Sequence, residues 1–456
     1  MIRTSLIFIL LLLILLSCGE EQQAQTEQIS ETDRIIQEKE ANLLAEYNNH
    51  SMSVFELPEY KTDEVIPFSA VQKIVSDNCL FCHKPNGNAP FTLMDYKSIQ
   101  KRAQTIREVL STKRMPPWLA DDSYSHLFNA PKITDQERAL IVQWIDQGAK
   151  KFGSTDVYTS SNEITPNKPT SVADLELFRS IDFTITTNND SYECFIYELD
   201  DTEAFYLSGV EFISSNPEVI HHQMLYLDTA NVVKTDNSCW DCKNDGIINK
   251  CVPISSWSKG MRPFALNEKL AYKIPKGSRL ILQTHYGNEG NKGRKENTRL
   301  RLFKTEVFEE IVEYAIINKF DIFYPKNELK VETLTFSIDE KTSILGITPH
   351  AHFLAKKMEV YAICPDKKII PMLKIPEWDY LWQGDFLFDE PLVLPKGSLV
   401  VFSLIIDNTA SNPTQPNYPV RDVKYGTNSP DEMLVLILIK KPYKSTDDYL
   451  KVARYL

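Results

Sequence analysis

The sequence predicts a multidomain chain in which a small all-α domain precedes two antiparallel, jelly-roll-like β-sandwich domains. Three observations lead there. From about residue 66 to 152 the apolar residues recur at spacings of three and four, the period of amphipathic helices. Beyond residue 176 the texture changes to short β-branched and aromatic runs broken by Asn, Asp, Gly and Pro, such as FTITT, FYLSGVEFI, RLILQTHYG and LVVFSLII. Runs of that kind mark antiparallel sheets with frequent turns. This second part is about 280 residues long, more than one sandwich of about 100 residues takes up. The boundary between the two is expected near 305, after the strand TRLRLFKT.

The chain opens MIRTSLIFILLLLILLSCGEE. The apolar run from Leu6 to Leu16, behind one arginine, is short for a transmembrane helix and has the layout of an export signal over residues 1–17. LLSC resembles a bacterial lipobox. That resemblance implies that Cys18 is lipidated and that the remainder is exported and anchored by this lipid to a bacterial membrane, on its periplasmic face or at the cell surface. Residues 18–65 read as a tether, first rich in Glu, Gln and Thr, then a charged helical stretch, ETDRIIQEKEANLLAEY. Its Ile35, Leu43 and Leu44 are too sparse to build a core of their own. No later apolar run is long enough to cross a membrane as a helix. A formal charge of −12 with scattered Lys and Arg argues against nucleic acid as a partner.

Within the helical domain, 66–152, the segment YKSIQKRAQTIREVL aligns Tyr96, Ile99, Ala103, Ile106 and Leu110 in one stripe. TDQERALIVQWIDQG places Thr134 and Glu137 as a capping box, an apolar face through Leu140, Ile141, Trp144 and Ile145, and Gly148 as the stop. CLFCH at 79–83 is the motif of covalent c-type haem attachment, with Cys79 and Cys82 as thioether sites and His83 as axial ligand. The export signal and the lack of a second CxxC nearby weigh against a zinc half-site or a redox pair. Met115 in KRMPPW is the expected sixth ligand, because the prolines after it hold an extended loop over a haem face; Met94 is its competitor. A His/Met pair leaves no open position, so such a haem carries electrons. The domain resembles a monohaem cytochrome c. A linker rich in Ser, Thr, Asn and Pro is expected over 153–176.

Five of the eight histidines fall in three strand-like motifs: VIHHQMLYL (His221, His222), LQTHYG (His285) and TPHAHF (His350, His352). Strand alternation puts His350 and His352 on one face as a bidentate chelate. The adjacent His221 and His222 would point to opposite faces unless a bulge or strong twist turns them together. Imidazole and thioether donors suit copper cycling between its two oxidation states. These motifs in order, followed by GTNSPDEM ending at Met433, resemble the copper type II monooxygenases, the peptidylglycine alpha-hydroxylating and dopamine beta-monooxygenase family, over about 177–440. The resemblance implies two copper ions, one per sandwich. His221, His222 and His285 of the first sandwich (177–305) would hold the electron-storing copper. His350, His352 and Met433 of the second (306–456) would hold the copper that binds oxygen, with both sites on an open cleft between the sandwiches. Gln283, two residues before His285, matches a further site residue of the family.

The expected activity is that of an oxidoreductase, a copper-dependent monooxygenase that hydroxylates a C–H bond of a small or apolar substrate with O2, with His350, His352, Met433 and Gln283 as catalytic residues. The haem would relay electrons from an external one-electron donor, a redox protein or a small reductant. Thr348 stands where the amidating relatives carry a carboxylate-gripping arginine, and Val435 and Ile437 replace polar residues, so the pocket should be apolar and a glycine-ending peptide a poor substrate. The same ligands would also serve a copper- and haem-binding electron carrier or copper scavenger without hydroxylase activity. A structural sandwich with vestigial motifs is the third reading. Of the eight cysteines, 194, 239, 242, 251 and 364 remain once the lipid and haem sites are set aside. Four are expected to pair, in an arrangement left open, with CWDC (239–242) as loop disulfide chemistry and Cys364 as the free thiol.

Overall fold

The computed structural model describes residues 30–49, 57–60, 64–85, 87, 89–151, 173–199, 203–233, 238–243, 245–247, 250–287 and 290–455. The export signal, Cys18, His50 and most of the 153–176 linker lie outside the described residues. Among those described, no helix is long and apolar enough to cross a membrane.

Helix α1 (Glu31–Asn48) starts at Ser30, whose hydroxyl accepts the Asp33 N–H at 3.1 Å. It is docked on the second sandwich. Leu43 is only 1 % exposed, and Ile35 and Ile36 pack on Tyr361, Ile363 and Val401. Around this contact Lys39 pairs with Glu359 at 2.9 Å, Glu46 with Lys357 at 2.8 Å, and the Tyr47 hydroxyl donates to Asp407 at 2.7 Å. Three apolar residues suffice because the sheet supplies the other half of the core.

Helices α2 (Phe68–Asn78), α3 (Tyr96–Lys101), α4 (Ala103–Ser111) and α5 (Asp135–Asp146) share one apolar core around Val71, Ile99, Leu110, Ile141 and Trp144. The Thr134–Glu137 capping box is formed, and Gly148 follows α5 at φ +93°. The stripe read as one helix is broken at Arg102, which leaves the helical backbone between α3 and α4 and lays its guanidinium 4.1 Å from the Phe91 ring. Its buried face survives the break, since Ile99, Ala103, Ile106 and Leu110 all stay buried. The loop from α4 to α5 runs along the second sandwich: the Phe128 N–H donates to the Leu387 carbonyl at 2.8 Å, and the His126 carbonyl accepts from Asp389 at 3.1 Å. The His126 residue itself is exposed.

In the first sandwich a five-stranded antiparallel sheet runs in the order Cys239–Asp241, Ser191–Glu198, Arg279–Tyr286, Ile220–Asp228, Val252–Ser258. It packs on a second sheet that includes Phe205–Ser214 and Thr298–Lys304, with Phe195, Leu225, Leu280, Leu207 and Leu300 between them. In the second sandwich Glu313–Lys319, Leu434–Pro442, Thr342–Ala351 and Phe386–Leu394 face Leu329–Ser337, Leu399–Asp407, Ala355–Ile363 and Ile369–Ile375. Two pieces beyond residue 305 return to the first sandwich: Glu310–Ile311 beside Leu270–Ile274, and the C-terminal Ala453–Tyr455 beside Phe264–Leu266.

The sandwiches are joined by apolar packing. Leu345, Leu387 and Ile439 of the second lie in the core of the first, with Leu266, Leu270 and Tyr272. The register of Thr342–Ala351 slips between Ile344 and Gly346 against both neighbouring strands. The bulge makes Leu345 the extra residue, so Ile344 and Ile347 face their own core while Leu345 turns out into its neighbour's. Gly346 is required there, because a Cβ would come within 2.9 Å of the Phe386 carbonyl oxygen.

The docking of α1 has a direct test. Leu43→Ala is expected to destabilise the protein by about 2–4 kcal/mol, the range for a buried leucine truncated at a packed contact, read as a lowered midpoint in a denaturant titration.

Candidate functional site

The histidines come from strand ends at the junction of the sandwiches. In the Ile220–Asp228 strand His222 pairs with His285, but Tyr286 pairs with Ile220, so His221 is the extra residue of a bulge. That bulge turns two adjacent side chains to one side, as a shared site requires. Nδ1 of His221 lies 3.0 Å from Nδ1 of His222 and 3.1 Å from Nδ1 of His285. The three rings present ligand atoms within 4.8 Å of one another, and all three residues are buried. Nitrogens about 2 Å from a metal ion stand about 3 Å apart, so this is the spacing of a first coordination shell.

The surroundings orient these rings. Nε2 of His285 meets Asp190 Oδ1 at 3.1 Å, and Tyr192 stacks on the same ring at 4.1 Å. Burial pushes the Asp190 carboxyl up, but hydrogen bonds from His285 and Ser429 outweigh it and hold the group below its ordinary value. Burial, and then the neighbouring imidazoles, depress His221 and His222 well below the usual histidine range. Both rings are therefore neutral near pH 7, the form that binds a metal.

His350 is the penultimate residue of the Thr342–Ala351 strand and His352 follows the strand directly, with ring centroids 5.3 Å apart. Each is held through Nδ1: His350 by Gln383 Oε1 at 2.5 Å, and His352 by the Asp431 carbonyl at 3.2 Å. Both Nε2 atoms stay available, and that of His352 is buried without a partner. Burial lowers His350 to about 4 and holds His352 well below the usual histidine range. The middle residue of DEM joins this pair to Met433. Glu432 is fully buried, and its carboxylate accepts N–H bonds from His352, Leu354 and Met433, the last two at 3.1 and 3.0 Å. Burial raises the Glu432 carboxyl to about 8 against the opposing pull of those N–H donors.

The two clusters meet directly. His222 and His350 have ring centroids 6.0 Å apart, and Tyr380 stacks on His221 at 4.6 Å while lying 5.4 Å from His352. Beside these rings the sandwiches pack together through Leu345, Leu387 and Ile439. Between the clusters lies a pocket of about 110 Å³, walled by His222, His350, Gln283 and Met433 and by the side chains of Val435 and Ile437. Thr348 also borders it, with its hydroxyl donating to Asp385 at 2.6 Å. Gln283 Nε2 points at the sulfur of Cys242, 3.7 Å away.

The cysteine expectation needs correction. Cys194 bonds to Cys242, while Cys239 and Cys251 are free thiols, as is Cys364. CWDC therefore does not close on itself, and one disulfide, not two, is formed among the described residues. Cys239 packs against the inter-sheet core and Cys251 in the outer cluster with Tyr226 and Ile247, so the two thiols occupy separate cores.

In the helical part Cys79 and Cys82 are free thiols, and burial raises them to about 12 and about 11. Nδ1 of His83 meets the Phe91 carbonyl at 3.0 Å, which leaves Nε2 available. Met94 packs against the helical core. Met115 is half-buried at a cis bond to Pro116, and its carbonyl accepts from buried Arg138.

Sequence reasoning passed over Asp190, Tyr192, Tyr380 and Gln383. None has a motif spacing to the histidines; Gln383 lies in WQGD, far along the chain from the ring it holds. Glu432 was visible inside DEM, but its role depends on the fold bringing the His352–Leu354 backbone onto it.

Residues 178–293 match the family described as copper type II ascorbate-dependent monooxygenase, N-terminal domain. His221, His222, His285 and Gln283 lie in this match; His350, His352 and Met433 lie beyond it. The chain thus carries a domain similar to that of a class of copper oxidoreductases, and the buried histidine triad supports copper there. No curated protein matches the chain. Among solved structures, the major capsid protein P2 from bacteriophage PM2 is 9 % identical over 60 % of this chain and 99 % of its own, with a TM-score of 0.27. An infectious bursal disease virus structure (Gt strain) is 9 % identical over 62 % and 84 %, with a TM-score of 0.15. Scores this low carry no argument about fold or function.

Asp190 gives a test that leaves the ligands untouched. Asp190→Asn is expected to weaken metal binding at the His221 site about 10- to 100-fold, the usual effect of losing a carboxylate that orients a ligating imidazole. Competition titration with a copper chelator measures it.

Proposed function

We propose that the protein is a copper-dependent monooxygenase that inserts one oxygen atom of O2 into a C–H bond of a small apolar substrate. The observation that carries this reading is the approach of a three-imidazole cluster in the first sandwich and a two-imidazole pair in the second, with His222 and His350 lining one pocket that Val435, Ile437 and Met433 also border. Nδ1 of His221, His222 and His285 would hold one copper, and Nε2 of His350 and His352 with Met433 the other. Copper would supply one-electron redox chemistry and oxygen activation. In balance, R–H, O2, two electrons and two protons give R–OH and water.

The remaining residues position and exclude. Asp190 and Tyr192 fix the His285 ring, and Gln383 and the Asp431 carbonyl fix the rings of the second pair through their outer nitrogens. Val435 and Ile437 give the pocket apolar walls, and Thr348, already engaged by Asp385, offers no positive charge for a substrate carboxylate. Such walls favour an apolar body at the reacting position and keep bulk water away from it.

The chemistry of the CLFCH residues fits covalent haem c. Two free thiols precede a histidine whose Nδ1 is engaged by a carbonyl and whose Nε2 remains for iron, with Met115 as the proposed second axial ligand. A haem there would supply single electrons from an external donor. With the lipidated Cys18, the protein would work at a bacterial membrane surface.

Metal and haem analysis of the purified mature protein tests this reading. Two coppers and one covalent haem are expected per chain. His221→Ala and His350→Ala should each lose one copper, and His83→Ala should abolish turnover with the physiological donor while copper remains. Zinc in place of copper would overturn the proposal. Both coppers and the haem without substrate-dependent O2 uptake would leave an electron carrier or copper scavenger.

A further inference from the structure

The helical part meets both sandwiches around a cavity of about 340 Å³. Its walls come from Phe81 and Cys82 within the CLFCH motif, from the Pro116–Leu119 loop, from the turn 258–262 of the first sandwich, and from 382–386 of the second, while Cys79, His83 and Met115 do not line it. The turn 258–262 links these parts. It leaves the Val252–Ser258 strand at the residue paired with His222. Gly260, at φ +93°, lets the turn pass where a Cβ would stand 2.9 Å from both Pro117 and Trp382. The Met261 sulfur sits so close to Gly384, the neighbour of Gln383, that a Cβ there would be 2.9 Å from it.

Arg262 then reaches over the haem-attachment motif. Its guanidinium lies 5.4 Å from the Phe81 ring and 5.5 Å from the Tyr455 ring, and Nη2 donates to the Asp77 carbonyl near the C-terminal end of α2 at 3.4 Å. No carboxylate pairs with it among the described residues. Its charge is felt at both cysteines, where it opposes the larger effect of burial.

On the haem reading above, we propose that Arg262 of the first sandwich, seated on the attachment motif against Phe81 and the Asp77 carbonyl, is a positioning residue whose unpaired charge raises the haem reduction potential. The physical cause is simple. Reduction removes one unit of positive charge from the haem, so a cation held beside it in a partly buried site favours the reduced form. The sandwich thereby poises the electron carrier that serves it.

The test is a spectroelectrochemical titration of the haem in the full-length, haem-loaded protein. Arg262→Gln is expected to lower the midpoint potential, with one haem per chain and an unchanged absorption spectrum. Arg262→Met, which keeps an unbranched stem against Phe81, should lower it likewise, and Arg262→Lys should restore it. Lys101→Gln, at the end of α3, should leave it unchanged. A potential that stays at the wild-type value in both Arg262→Gln and Arg262→Met overturns the proposal. Absence of covalent haem from the wild-type protein would instead overturn the haem reading, and shows before any titration begins.

Discussion

The site depends on one apolar contact, the insertion of Leu345, Leu387 and Ile439 of the second sandwich into the core of the first. Each buried leucine-sized side chain contributes about 1.5–3 kcal/mol on leaving water, enough together to hold the sandwiches in one arrangement. The bulge at Leu345 lets one strand serve both cores, because with Leu345 turned out Ile344 and Ile347, three residues apart, still face their own. The same strand carries His350 next to its end at Ala351. The element that binds the sandwiches together therefore also aims the second imidazole pair at the first, and the 6.0 Å between His222 and His350 follows from it.

Around the histidines the structure solves a common problem of buried polar groups, which need partners or they oppose folding. Outer nitrogens are given to Asp190, Gln383 and the Asp431 carbonyl, so the inner ones are left to face each other. Burial keeps the rings neutral and crowds them to separations that neutral imidazoles do not need for packing. Glu432 plays the corresponding part for the backbone, where one carboxylate gathers three N–H groups and sets the order His352, Leu354, Met433 around itself.

The helical part and α1 extend this arrangement. Helix α1 brings too few apolar residues to be stable alone and acquires its core from the sheet beneath it. The long loop after α4 hydrogen-bonds along the Phe386–Leu394 strand, next to the segment carrying Gln383. The helical part is thus tied through this loop to the same part of the second sandwich that orients His350.

Much of this was legible in the sequence. Periodicity of 3.6 and of 2 separated helices from strands, the capping box at Thr134 and Glu137 marked the start of α5, and the HxH spacing set His350 and His352 as near neighbours. The adjacent His221 and His222 already required a bulge, and the bulge is there. These features are local, set by the chain's own geometry within a few residues. What only the tertiary structure decided involves distant partners: Asp190 on His285, Gln383 on His350, Cys242 on Cys194 and not on Cys239, Ile35 and Ile36 on a sheet more than three hundred residues away, and the approach of His222 to His350. No spacing encodes these pairings, because they follow from which apolar surfaces bury one another once every element has formed.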